Sequence, residues 1–181
     1  RRFYPTARLL AIAREISSSD PLYVVGTEAA ELLRDRTGET GLCGRLENGV
    51  VKVLAFSEGR HPLRYMQNVG DKLALHVSAM GKAILAMGTP EEAARQLRLK
   101  PLRRLAAGTL TDLTALEAQV AKGKAQGWTW VENEGSDGLS AVAVAGLRRE
   151  APTARTRRRC TAGTMGEKAD ELGRTLDADT D

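Results

Sequence analysis

The chain has 181 residues, 42% hydrophobic and 28% charged, with a net charge of +4. That composition fits one folded domain plus a short extra element, and it excludes a disordered, collagen-like or coiled-coil chain. No apolar run approaches the roughly 20 residues that span a bilayer. Two cysteines, Cys43 and Cys160, cannot build a disulfide framework, so reduced thiols in a cytoplasm are the expectation.

The charge is uneven. Residues 148–159 hold six arginines against Glu150 alone, and the last fifteen residues hold six acids against Lys168 and Arg174. The arginine segment reads either as solvated irregular chain or as a contact for an anionic partner. Seven aromatic residues argue against a stacking platform for nucleic acid.

In chain order, Arg1 to Tyr4 reads as the end of a preceding element. Pro5 then opens a helical pattern in which Leu9, Leu10, Ile12, Ala13 and Ile16 share one face, stopped by Ser17 to Pro21. Thr27 is the expected N-cap of a second helix, with Glu28 and Glu31 in its first turn and Gly38 closing it. Strands follow at 40–47 and 50–56 around Asn48-Gly49, a pair suited to a two-residue hairpin because both positions need positive φ. A third strand over 61–69 and a fourth over 73–76 would continue the meander.

Ser78 then precedes an apolar helix through Met87, which should be buried all round. Thr89, Pro90 and Glu92 make a capping box with proline at the first helical position. Asp112 caps a longer helix ended by Gly127. Strands over 128–132 and 139–145 flank the turn Gly135 to Gly138. Strands in meander with helices between them imply an α+β domain.

There is no glycine-rich phosphate loop and no nucleophile elbow. His61, His76, Cys43 and Cys160 lack metal-ligand spacing, and no cofactor is expected. His76 reads as packed and hydrogen-bonded or as facing a ligand. Cys43 reads as a small buried hydrophobe or as a reactive thiol. Glu132 and Glu134 read as a solvated pair in a turn. The helix start at Ser78 has two readings. It offers bare backbone N–H groups and the positive end of a dipole beside small residues, which would suit an anion; or Ser78 merely caps a core helix.

The strings Thr37-Gly38-Glu39-Thr40, Pro62-Leu63-Arg64, Val69-Gly70 and Leu75 to Ala86, with Thr109 to Asp112 and the stretch from Gly127 to Val144, resemble the effector domain of the IclR family of bacterial transcription regulators. The resemblance runs from about Phe3 to Val144. It implies a GAF-like curved antiparallel sheet flanked by helices and preceded by a linker helix. Residues 1–20 would be the end of a wing plus that helix, and 21–181 the effector-binding domain.

The resemblance further implies a small-molecule sensor, not an enzyme, whose DNA-binding winged helix-turn-helix is absent here. Family ligands are mostly small organic acids and aromatic compounds. Family pocket positions carried onto this chain are Leu63, Tyr65, Ser78, Ala79, Met80, Val131 and Ala141. Relatives often have an acid at position 131 and a cysteine at 141. The valine and alanine here imply a more apolar ligand. A homodimer or homotetramer, and no membrane, are expected.

Relatives continue past Val144 with a turn and another strand. Here only the five residues Gly146 to Glu150 come before Ala151, too few for both at about 3.3 Å per residue. The expectation is therefore an irregular 146–165 and a lost or damaged final strand. The rival functional readings are an oligomerisation module without ligand and a thiol redox enzyme using Cys43 and Cys160.

Overall fold

Helix α1 spans Pro21–Thr37, starting seven residues before the Glu28 start that a cap at Thr27 implies. Proline at the first helical position has a preset φ and no N–H to waste. Thr27 is interior to the helix, where its hydroxyl donates to Tyr23 O at 2.9 Å instead of capping. Gly38, at φ +76°, ends the helix as expected. A computed structural model describes residues 8, 12, 21–62, 65–148 and 158–165, with only the backbone of 147–148 and 158–165. The expected linker helix lies outside these residues apart from Arg8 and Ile12, which are helical and exposed.

Strands β1 (Thr40–Glu47) and β2 (Val50–Ser57) form the expected hairpin. Asn48 and Gly49 have φ of 50° and 73°, the left-handed pair that matches strand twist. The ladder shifts register at Cys43/Gly44, a bulge that bends the sheet.

The expected strand over 61–69 is not there among the described residues. The free edge of β2 is taken instead by β3 (Lys72–Ala74), with Val50 opposite Ala74. Val53 N donates to Asp71 O at 2.9 Å, and Gly70 N donates to Val53 O at 2.8 Å. The segment before Gly70 thus finds no ladder. Thr40 Oγ1 holds it by donating to Tyr65 O at 3.1 Å.

Helix α2 (Ala79–Ala86) is buried at all eight positions. Helix α3 (Pro90–Leu97) begins with the complete Thr89/Glu92 capping box. Thr89→Ala removes the side-chain half of that box and should cost about 0.5–2 kcal/mol, read as a lower urea midpoint with unchanged slope. Helix α4 (Leu113–Gln126) is capped by Asp112 and closed by Gly127 at φ 85°. Strands β4 (Thr129–Glu132) and β5 (Ser140–Arg148) follow.

The final strand is present, correcting the expectation of an irregular 146–165. β5 runs on to Arg148, and β6 (Arg158–Met165) pairs antiparallel with both β1 and β5. The strand order is β3-β2-β1-β6-β5-β4, so β6 lies at the centre. Without it two full-length strands would each keep a row of bare backbone groups.

The sheet separates two layers. Cys43 and Ala55 pack with Ala30 of α1 on one face, while Val142 and Val144 meet Leu33 of the same helix. On the other face Leu42, Val51, Val53, Ala141 and Ala143 join α2 and α4 in the main core. The architecture is α+β, an antiparallel sheet flanked by helices. Among the described residues no helix is long and apolar enough to cross a membrane.

Candidate ligand-binding site

On the α2 face, the sheet does not close fully against the helices. A cavity of about 350 Å³ remains there. Its floor is the first turn of α2, Ala79 and Met80. Its back wall is Leu42 of β1 with Val131 and Ala141, which face each other across the β4–β5 ladder. Three connections close the sides, contributing Tyr65 and Gln67, then Leu105, then Gly135 and Leu139.

Six of the seven residues named from sequence therefore border one hollow: Tyr65, Ser78, Ala79, Met80, Val131 and Ala141. Leu63 lies outside the described residues. Gln67, Asp71, Lys72, Leu105, Gly135 and Leu139 were missed. They sit in connections or at a strand start, where no periodicity marks a side chain as inward-facing. Most of the lining is aliphatic, so the hollow suits a largely apolar body.

Its polar groups differ in how far they are already engaged. Ser78 is the N-cap of α2; its Oγ accepts from Gly81 N at 3.0 Å and donates to Ala74 O at 2.9 Å. The capping reading of Ser78 is therefore satisfied within the protein. Above it, the N–H groups of Ala79 and Met80 have no acceptor among the described residues, as first-turn amides lack one inside a helix. They present the positive end of the α2 dipole to the cavity. Asp71 Oδ2 accepts from Asn68 N at 2.8 Å. The Lys72 side chain is exposed at the rim.

One turn beyond the cavity floor lies a buried charge cluster that the sequence did not disclose. Lys82 is fully buried, and its ammonium donates to Glu134 Oε2 and Gln119 Oε1. Gln119 Nε2 donates back to Glu134 Oε1 at 3.0 Å. The expectation of a solvated pair holds for Glu132, which is exposed, and fails for Glu134, which is 3% exposed. The turn after β4 folds inward over α2, and a buried carboxylate needs a cation there. Burial pulls the Lys82 ammonium below the ordinary lysine range, while the hydrogen bond and charge of Glu134 oppose that.

The cluster continues into the cavity walls. Thr109 Oγ1 donates to Glu134 O at 2.6 Å and accepts from Leu105 N and Ala106 N at 3.0 and 2.8 Å. His76 is buried, with Nε2 3.0 Å from Arg103 O. It is a packed, hydrogen-bonded histidine and is not among the residues lining the cavity. Cys43 is 4% exposed, with its sulfur against Gly26, a small buried hydrophobe on the opposite face.

A family model described as bacterial transcriptional regulator IclR, C-terminal, matches residues 18–151. The HTH-type transcriptional regulator BhcR of Paracoccus denitrificans is 34% identical over 112 residues, 62% of this chain and 40% of that protein. The chain spans about half or less of the length of the curated relatives it matches.

Among solved structures, the Thermotoga maritima IclR superposes with a TM-score of 0.80 at 18% identity, covering 96% of this chain and 70% of that one. An IclR homologue from Microbacterium hydrocarbonoxydans, complexed with 4-hydroxybenzoate, superposes with a TM-score of 0.72 at 21% identity, covering 87% and 64%. These likenesses establish a shared fold. With the family model matched over most of the sequence, this chain belongs to the IclR family of bacterial transcriptional regulators, as its C-terminal part.

Proposed function

We propose that this chain is the effector-sensing part of a cytoplasmic DNA-binding regulator and has no enzymatic role. Residues 21–181 form the sensor, and residues 1–20 lead to it from a winged helix-turn-helix elsewhere in the full-length protein. The effector is a small organic acid with an apolar or aromatic body. It lies in the hollow beside α2, with its carboxylate toward the Ala79 and Met80 amides and its body against Tyr65, Val131 and Ala141.

The carrying observation is that hollow, about 350 Å³, at the amino end of a buried helix. The 4-hydroxybenzoate complex of a structural neighbour supports the ligand class. The thiol redox alternative needs an exposed Cys43, whereas Cys43 is buried.

Binding shifts such a protein only through unequal affinity for two arrangements. Here those are two packings of the domain within a homodimer or homotetramer, relayed through the linker helix to half-site spacing on DNA. A thermal-shift panel of small carboxylates, including 4-hydroxybenzoate, tests the reading. An acid present at a hundred times its Kd should add about 2.7 kcal/mol, roughly 5–10 °C in Tm for a domain of this size. Ala79→Leu puts a bulky side chain over the amides and should abolish that shift while the domain stays folded. An unchanged shift in Ala79→Leu removes this hollow as the site. No shift with any acid favours a ligand-free assembly module.

A further inference from the structure

Most polar side chains lining the hollow are engaged within the protein. Ser78 uses both its acceptor and its donor, and Asp71 is bonded by Asn68 N. The Tyr65–Gln67 pair is the exception. Gln67 Nε2 donates to Tyr65 Oη at 2.6 Å, and Gln67 Oε1 is buried with no hydrogen-bond partner. Among the described residues it is the one buried side-chain oxygen or nitrogen without a partner. Turning the amide end for end would give its oxygen to the Tyr65 hydroxyl and leave its nitrogen bare. In either orientation one amide atom of this cavity-lining residue goes unserved.

That atom is shut off from solvent as the chain stands, and a small turn of the side chain toward the cavity would let a water serve it while the cavity is empty. An apolar body filling the cavity evicts the water, and the amide must then bond to the ligand or to nothing. A hydroxyl both donates and accepts, so it satisfies either amide orientation. A ligand lacking one buries an unpaired polar atom, and sites built to bond a hydroxyl discriminate through that loss.

We propose that Gln67, held by Tyr65, is the specificity element of this hollow and selects an acid bearing a hydroxyl over the same acid without one. The proposal rests on the effector reading given above and adds the second functional group of the ligand.

The test is calorimetric titration of the protein with matched pairs: benzoate against 3- and 4-hydroxybenzoate, and butanoate against 3-hydroxybutanoate. The wild-type chain should bind one hydroxylated partner tighter by about tenfold or more. Gln67→Met keeps the side-chain length and removes both polar atoms. It should bring the ratio near one with affinity for the plain acid kept or improved; Gln67→Leu serves if the methionine variant is unfolded by circular dichroism. Equal wild-type affinity for both members of each pair, or a preference that survives in the folded variant, overturns the proposal and leaves the effector reading intact. Failure of every acid to bind the wild-type chain overturns both.

Discussion

Replacing Glu134 by alanine should cost the domain about 3–5 kcal/mol, because it strands a fully buried ammonium. For a chain of this size that is roughly 6–20 °C in Tm. Lys82 is 0% exposed and its nearest charge is Glu134, so neither water nor another carboxylate is at hand. Lys82→Met should cost a similar amount by stranding the carboxylate. The double variant Lys82→Met/Glu134→Met should recover most of either loss, since deleting both halves of a buried pair removes the desolvation penalty with the attraction. A double variant as unstable as Glu134→Ala would show that packing around the cluster, rather than unpaired charge, dominates.

The same pair has a pH signature. Burial lowers the Lys82 pKa in the folded chain, whereas in the unfolded chain it keeps its ordinary value. Between those two values the unfolded chain binds more protons, so stability from this group rises with pH. The stability gap between wild type and Lys82→Met should therefore widen as pH rises from neutral toward the ordinary lysine value. Urea denaturation of both proteins at neutral pH and near pH 10 checks the sign.

Gly41→Ala should be the second severe change, costing about 3 kcal/mol or more, at the upper end of overpacking effects. A Cβ built at Gly41 would lie 2.0 Å from Ala30 O and 2.8 Å from the Ala30 carbonyl carbon. Both are main chain, so the only relief is to lift α1 from the sheet, which would expose Leu22, Gly26, Ala30 and Leu33 together. Trimming the neighbour, Ala30→Gly, should give no rescue. Gly26→Ala is the control with the opposite logic. Its Cβ would meet Cys43 Sγ at 2.8 Å, a side-chain atom, and Cys43→Ala should restore most of what Gly26→Ala loses. Equal rescue in both cases would mean that α1 shifts freely over β1.

Elements whose cause is local were legible in the sequence. Asn48-Gly49, Thr89 with Glu92, Ser78, Asp112 and Gly127 all act within one turn of themselves, and each stands where its chemistry requires. Thr27 misled because a hydroxyl caps a helix or bonds its previous turn with equal ease, and only the chain before it decides. The 61–69 segment alternates well enough to be a strand, but pairing needs a vacant edge, and β3 holds it.

The last strand was the hardest to see. Arg158 to Met165 contains glycine, alanine and threonine where an apolar alternation is sought, and both α1 and α2 pack across it. Glu134 shares that difficulty, since its partners Lys82 and Gln119 lie 52 and 15 residues away along the chain. The cavity was legible mainly through family likeness. Gln67 and Lys72 carry no periodic mark, and their place follows from the turn at Gly70.

The position of β6 has a consequence for how the protein comes to exist. Its partners are residues 40–45 on one side and 141–148 on the other, yet it is the last strand in sequence among the described residues. During synthesis the β3-β2-β1 and β5-β4 ribbons stay separate, β1 and β5 each keeping bare the edge that β6 fills, until residue 165 clears the ribosome. Joining them closes a loop of more than a hundred residues, the slow and aggregation-exposed kind of step. Amide exchange during refolding should then find β1 and β5 gaining protection together, in the same kinetic phase as β6.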